Sequence, residues 1–145
     1  MKQYRFLLYL TFSLFAVAFV ASSCGDDEPT VESANDLIGV WSLSTVTSTN
    51  CTDPTDNGVE NEGCTATDCI KWEFREGGVI VATDIFDGDS DTLTGTYSVS
   101  GNNLTVTLDG DTATGTFSVS STQFVYNFED PEFGCNVEGR FTRDN

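Results

Sequence analysis

Apolar and polar residues alternate with a period of two over most of this chain, from Leu37 to Arg143. Turn-forming Gly, Asp, Asn and Ser residues interrupt the alternation at short intervals, and no long window carries an unbroken helical apolar stripe. Connections this short cannot hold the crossover that parallel strands need, so consecutive strands must pair antiparallel. The pattern predicts an all-β domain.

Eight strands are predicted from the alternation and its turns. They are Leu37–Thr47, Ile70–Arg75, Val79–Phe86, Leu93–Ser98, Leu104–Leu108, Thr112–Val119, Phe124–Phe128 and Asn136–Thr142. An internal repeat supports this division, because Thr94–Ser100 recurs as Thr114–Ser120 and each copy is followed by a turn and another strand. Two tandem hairpins favour an up-and-down meander that closes into a small β-barrel and so removes its unpaired edges.

The N-terminal segment is typical of an export signal. Lys2 and Arg5 precede an apolar run from Phe6 to Val20, and small residues lead to Cys24. The run is shorter than the roughly 20 apolar residues of a membrane-spanning helix, so residues 1–23 are predicted to be a cleaved signal peptide. Val20–Cys24 resembles the lipobox of bacterial lipoproteins. The resemblance implies a diacylglyceryl thioether on the Cys24 sulfur and a further acyl chain, typically palmitate, which together anchor the protein to a membrane.

Residues 24–36 are predicted to be an acidic tether between the anchor and the domain at 37–145. Gly25–Glu28 resembles the acidic stretch that directs lipoproteins of the Bacteroidetes to the outer membrane. This resemblance implies an outer-membrane lipoprotein that faces the periplasm or the cell surface.

The charged residues of this chain argue against nucleic-acid binding and against catalysis. The chain has 23 acids, six bases and no histidine, and loss of Lys2 and Arg5 leaves 23 acids against four bases, a net charge of −19. Nucleic acid is not expected as a partner, because phosphate binding needs clustered Lys and Arg. No histidine is present to activate a Ser or Thr nucleophile, and no acidic pair stands out, so we expect a non-enzyme.

Several motifs together resemble a known family. Gly39-Val40-Trp41 on the first strand resembles the Gly-x-Trp of lipocalins, and Arg143 on the last strand stands where the family has an arginine across that tryptophan. Three later motifs follow in an order similar to that of lipocalin-like domains of secreted Bacteroidetes lipoproteins, namely Lys71-Trp72-Glu73-Phe74, Gly95-Thr96-Tyr97 and Gly101-Asn102-Asn103-Leu104. The resemblance covers residues 37–143 and implies a barrel whose Gly39, Trp41 and Arg143 plug one end.

The five cysteines divide into Cys24 and an even four, as expected for an exported protein with two disulfides. If the first strand runs upward, all four fall on the upper rim. The interpretation preferred here pairs Cys51 with Cys135 and Cys64 with Cys69, which staples the barrel seam. Pairing Cys69 with Cys135 keeps the same seam logic and remains open.

Most loop acids also fall on the upper rim, whereas the lower turns hold only Glu76. Within that rim, Asp87, Asp89 and Asp91 alternate in a way that calcium favours, so a calcium site is one hypothesis and a solvated turn is the other. No other cofactor is expected.

Alternation predicts a barrel interior rich in aromatic side chains. Trp72, Phe74, Tyr97, Phe117 and Tyr126 are the predicted ligand-binding residues, with walls suited to a small hydrophobic molecule. The function expected is therefore a membrane-anchored, monomeric binding module. The alternative is a structural or interaction lipoprotein with a filled barrel.

Overall fold

A computed structural model describes residues 34–144 of the chain. They form a helical turn, α1 (Ala34–Leu37), and a short 3₁₀ turn at Pro54–Asp56. The nine strands are β1 (Gly39–Thr49), β2 (Gly58–Asn61), β3 (Asp68–Arg75), β4 (Val79–Phe86), β5 (Asp89–Ser100), β6 (Asn103–Leu108), β7 (Asp111–Val119), β8 (Gln123–Asp130) and β9 (Cys135–Arg143). The predicted signal peptide, Cys24 and most of the predicted tether lie outside the described residues.

The strands form one antiparallel sheet that closes on itself, because β1 pairs both with β3 and with β9. This confirms the predicted eight-stranded meander and its closure. The short strand β2 is an addition that the sequence did not predict. It pairs with the upper half of β1, while β3 pairs with the lower half, so both neighbours share one edge of β1.

Two upper turns are tighter than predicted. Asp87 and Gly88 both have positive φ, 52° and 86°, and Phe86 pairs directly with Asp89. Positive φ at both central residues is the type I′ turn, whose twist matches that of the flanking strands. Asp109 and Gly110 repeat the arrangement at 51° and 92°. Strand β5 therefore begins at Asp89 instead of the predicted Leu93.

The internal repeat has a structural reason in Gly95 and Gly115, which occupy equivalent places in β5 and β7. Each glycine sits where its strand approaches a neighbour very closely, so a Cβ on Gly95 would overlap the carbonyl oxygen of Thr107 and one on Gly115 that of Asn127. Glycine inside a strand often marks a tight bend of a barrel wall. Above each glycine the strand separates from the next strand in the sequence. Strand β5 pairs with β6 only from Gly95 onward, and β7 pairs with β8 only from Gly115 onward.

The start of the domain differs from the sequence prediction. Leu37 was expected to open the first strand, but it ends helix α1 and is fully buried at the lower end of the barrel. Ala34 packs against the same core, so the folded unit begins inside the predicted tether. An irregularity between Leu43 and Thr45 then shifts the register of β1 against β9. Above this bulge Val46 contributes to the core.

Two disulfides close the upper rim, Cys51–Cys135 and Cys64–Cys69. The first joins the end of β1 to the start of β9 across the barrel seam, and the backbone N–H of Thr52 donates to the carbonyl of Phe133 beside it. The structure contains the preferred pairing of Cys51 with Cys135 and Cys64 with Cys69. It does not contain the alternative that pairs Cys69 with Cys135. Among residues 34–144, no helix has the length and apolar character needed to cross a membrane.

Candidate functional site

The lower end of the barrel is closed by residues at the two ends of the domain. The Arg143 guanidinium lies over the indole of Trp41, with its central carbon 4.1 Å from the ring centroid. Arg143 also donates to the carbonyls of Ile38 (3.0 Å) and Asp36 (2.8 Å), while Trp41 Nε1 donates to Leu37 O at 2.7 Å. Gly39, with φ of 136°, leaves room for the guanidinium, since a Cβ there would lie 2.7 Å from Arg143 Nη1. The three predicted plug residues therefore form one contact group.

We expect Arg143→Lys to lower the free energy of unfolding by about 2 kcal/mol, because lysine keeps the charge but loses the planar fork that stacks on Trp41 and binds two carbonyls. Arg75→Lys is the matched control, since Arg75 forms only an exposed ion pair with Glu73. Urea unfolding of both variants measures the difference. Equal stability of the two variants would show that the stack carries no energy.

The predicted ligand-binding residues lie in a packed aromatic core above this plug. Phe74 and Tyr126 are each 1% exposed, and Phe117 and Tyr97 are also buried. Ring centroids lie 4.9 Å apart between Phe74 and Tyr97, and 6.1 Å between Trp72 and Tyr126. The Tyr126 hydroxyl donates to Leu104 O, and burial raises the pKa of that phenol. These side chains pack together and form the floor of the upper part of the barrel. Trp72 is partly exposed, whereas the other four are buried.

Above the floor, the same inward-facing rows continue with apolar side chains that are not covered. Leu93 pairs across the hairpin with Ala82, on the face that carries the buried Ile80, yet Leu93 is 47% exposed. Phe86, at the top of the same row, is 54% exposed. Ile70, Leu108 and Phe128 are partly buried against the upper side of the core. The upper end of the barrel is therefore an apolar mouth that opens to solvent.

Carboxylates surround this mouth. Asp84 pairs with Asp91 across the β4–β5 hairpin, and Asp68 lies beside them on β3. Desolvation, together with repulsion from Asp68 and Asp91, raises the pKa of Asp84. Burial raises the pKa of Glu62 as well, with added repulsion from Glu60, Asp68 and Asp84. By the same alternation Asp84 lies between Ala82 and Phe86, so carboxylates and apolar side chains are interspersed along the inner wall of the mouth.

The positive charges lie elsewhere and are already engaged. Lys71 binds Asp144 at 2.6 Å, Arg75 binds Glu73 at 2.6 Å, and Arg140 binds Glu138 at 2.8 Å. The fourth base is the guanidinium that covers Trp41 at the closed end. In the part of the chain that the structure describes, no base remains to meet an anion at the mouth.

Removing one rim charge should stabilise the fold at neutral pH. Because the folded state raises the pKa of Glu62, the ionised form costs stability above that pKa, and the cost disappears as the pH falls below the ordinary value of 4.5. Glu62→Gln should therefore melt at a higher temperature than the wild type at pH 7 and at the same temperature near pH 4. Glu76→Gln, which removes a charge from a lower turn, is the control. A similar gain in both variants would indicate relief of net charge alone.

The proposed calcium ligands do not form a ligand set. Asp87 lies in the type I′ turn, whereas Asp89 and Asp91 belong to β5. Residues two apart on a strand are separated by about 6.8 Å along it, so the three carboxylates are spread along the hairpin instead of gathered at one point. No group of three acidic, Cys or His side chains suited to a metal ion occurs between residues 34 and 144.

Two clefts lie outside the mouth. One of about 460 Å³ opens where β7 and β8 separate, and its lining is mostly outward-facing Thr, Asn and Glu side chains with Phe128 and Val137 at its base. The other, of about 230 Å³, lies between α1 and the β4–β5 strands beside Tyr97.

Comparisons with known proteins agree with this architecture. The family model for the lipocalin-like domain matches residues 37–132. A lipocalin-like protein from Bacteroides uniformis superposes with a TM-score of 0.57 at 17% identity, covering 75% of this chain and 99% of that structure. An uncharacterized protein from Bacteroides eggerthii gives 0.55 at 14% identity, covering 74% and 99%. No significant match was found among curated proteins. The chain belongs to the lipocalin-like domain family, as the Gly39, Trp41 and Arg143 positions had indicated.

Proposed function

We propose that this protein is a membrane-anchored binding module that takes up a small hydrophobic molecule at the open end of its barrel. The observation that carries the proposal is the row of inward-facing apolar residues above the aromatic floor, of which Leu93 and Phe86 are about half exposed. Apolar side chains on a concave inner wall gain free energy when a ligand covers them, at roughly 25 cal/mol per Å². A ligand would lie on Trp72 and be enclosed by Ile70, Leu93 and Phe128.

The rim charges select the chemical class of this ligand. A free fatty acid would bring a carboxylate into a ring that already holds Glu62, Asp84 and Asp91, with no base to compensate it. A neutral or cationic head group avoids that repulsion, and a cation is attracted by it. The proposed ligand is therefore an apolar molecule with a neutral or cationic end.

The proposal includes lipid attachment at Cys24 and residence in the outer membrane. Ala34 lies at the closed end of the barrel, against the core beneath Trp41. An anchor on Cys24 would therefore hold the closed end toward the membrane and leave the mouth directed away from it. The test is metabolic labelling with a palmitate analogue: the wild type should incorporate the label and Cys24→Ser should not. Equal labelling of both would exclude Cys24 as the attachment site.

A second function, that of an interaction protein without a small-molecule ligand, is favoured by one observation. Four of the five residues predicted to contact a ligand are buried by one another, so the lower barrel offers no ligand space. On this alternative the exposed apolar residues of the rim contact a protein partner.

Binding of matched amphiphiles separates the two functions. The soluble form, residues 25–145, would be titrated by calorimetry with dodecyltrimethylammonium and with dodecanoate, both below their micellar concentrations. We expect saturable binding of the ammonium compound and at least tenfold weaker binding of the carboxylate. Leu93→Gln should weaken the former about tenfold, whereas Val59→Gln, which changes an exposed apolar residue on β2, should not. If neither amphiphile binds, or if both variants behave alike, the mouth is not the site.

A further inference from the structure

Strand β5 carries an edge that no other strand covers. It runs for twelve residues, yet β6 pairs only with its lower half, from Gly95 to Ser100. The upper half, Asp89–Thr94, pairs with β4 alone, and every one of these six residues is exposed. The β4–β5 hairpin therefore rises above the short turn at Asp109-Gly110 and leaves a notch in the barrel wall.

The hairpin geometry shows which backbone groups face the notch. In a two-residue type I′ hairpin the residues flanking the turn form a hydrogen-bonded pair, and such pairs recur at every second residue. Phe86 with Asp89 is that first pair, so Asp89, Asp91 and Leu93 direct their N–H and C=O groups toward β4. The same alternation continues lower down, where Tyr97 N–H donates to Gly78 O at 2.8 Å. The N–H and C=O groups of Ser90, Thr92 and Thr94 therefore point into the notch.

Nothing among residues 34–144 occupies these groups. The upper edge of β3 differs, because the loop that follows β2 covers it. There Thr65 N–H donates to Asp68 O at 2.8 Å, and the Cys64–Cys69 disulfide holds the loop in place. The upper edge of β5 has no such cover, so the N–H and C=O groups of Ser90 and Thr92 are left without a neighbouring strand, and Thr94 lies at the junction where pairing with β6 begins.

The side chains of this edge define what could pair with it. Asp87, Asp89 and Asp91 place three carboxylates along the hairpin, and Leu93 adds an exposed apolar contact below them. A second copy of this chain would bring its own three carboxylates against the first, and that repulsion disfavours edge-to-edge pairing of two copies. A strand with lysine or arginine at alternate positions would instead be attracted.

We propose that the upper edge of β5, Asp89–Thr94, binds an extended basic peptide segment by strand addition. The backbone of Ser90, Thr92 and Thr94 provides the ladder, which gives affinity without sequence preference. Asp89, Asp91 and Leu93 lie on one face of the strand, so they favour a partner with two basic residues and one apolar residue at successive positions of that same face. This surface adjoins the hydrophobic site in the mouth, because Asp91 and Leu93 border both, and it differs from that site in binding through the backbone of β5.

The test uses the soluble form, residues 25–145, and the peptide acetyl-VTKTKT-amide as probe, whose valine and two lysines share the face that would meet Leu93, Asp91 and Asp89 in an antiparallel pairing. Hydrogen exchange measured by NMR should show the amides of Ser90, Thr92 and Thr94 exchanging fast in the free protein and at least tenfold slower with saturating peptide. Thr92→Pro removes the central donor without disturbing the pairing with β4, and it should weaken binding at least tenfold. Thr92→Val, which keeps the N–H, should bind as the wild type does.

Other outcomes overturn the proposal. Protection that appears on β2 instead of β5 would move the peptide to another edge. Equal binding of a peptide whose alternate backbone nitrogens are methylated would show attraction between charges without a ladder. Absence of binding would end the proposal. A wild-type dimer that Thr92→Pro converts to monomers would assign the edge to a second copy, and circular dichroism of the variant checks that it folds.

Discussion

Replacing Gly115 with alanine should destabilise this protein by about 3 kcal/mol or more, the upper part of the range for overpacking. A Cβ at this position would overlap the carbonyl oxygen of Asn127 on β8, and it would lie 2.9 Å from the Cβ of Phe128. Backbone atoms of a paired strand cannot move aside as a flexible side chain can. Accommodation of the methyl group therefore requires β7 and β8 to separate at the point where the barrel wall bends.

Gly58→Ala is the matched control, because nothing lies within 4 Å of a Cβ there and its φ is not in the positive range. Urea unfolding followed by tryptophan fluorescence would measure both variants. Gly95→Ala should behave like Gly115→Ala, since its Cβ would meet the carbonyl oxygen of Thr107 in the same way. If both core glycines tolerate alanine as Gly58 does, the bends do not depend on the missing side chain.

The sequence was sufficient to predict the barrel but not its added strand. Alternation marks a strand when one face is buried, as in β8, where Phe124 and Tyr126 are buried and their neighbours are less so. Strand β2 buries neither face, and all four of its residues are exposed. Its position depends on pairing with Thr45–Ser48 of β1, which no local pattern records.

Turn chemistry misled the prediction for β5. Asp, Gly and Ser dominate residues 87–91, and such residues usually form loops. The structure needs only Asp87 and Gly88 for the turn, because the type I′ geometry returns the chain within two residues. Asp89 and Asp91 then continue the strand, which is how the free edge of β5 arises.

The sequence also predicted part of the candidate site and missed the rest. Alternation correctly placed Phe74, Tyr97 and Tyr126 inside, but it could not tell that their rings fill the lower barrel. Whether rings face a ligand or one another depends on the curvature of the wall, which Gly95 and Gly115 set through contacts between strands. Apolar residues at the mouth, such as Phe86 and Leu93, follow the same alternation and differ only in how far the hairpin extends beyond its neighbours.

Among changes to the upper rim, removal of the Cys51–Cys135 disulfide across the barrel seam should lower the free energy of unfolding the most. Cys51 and Cys135 are 84 residues apart, and they join the loop just after β1 to the first residue of β9. On the chain-entropy model a loop of that length restricts the unfolded chain by about 4 to 5 kcal/mol, whereas the five-residue separation of Cys64 and Cys69 gives about 2 kcal/mol. The double variant Cys51→Ala, Cys135→Ala should therefore lose about twice the stability that Cys64→Ala, Cys69→Ala loses.

The two double variants provide each other's control, since each removes one bond and leaves the other intact. Urea unfolding under oxidising conditions gives the two losses, and repeating it with a reductant should bring the wild type below either variant. Tryptophan fluorescence follows the transition, because Trp41 and Trp72 lie at the plug and the aromatic floor. Equal losses in the two variants would contradict the loop-length argument and would indicate that local contacts at the rim, such as that between Thr52 and Phe133, already hold the seam closed.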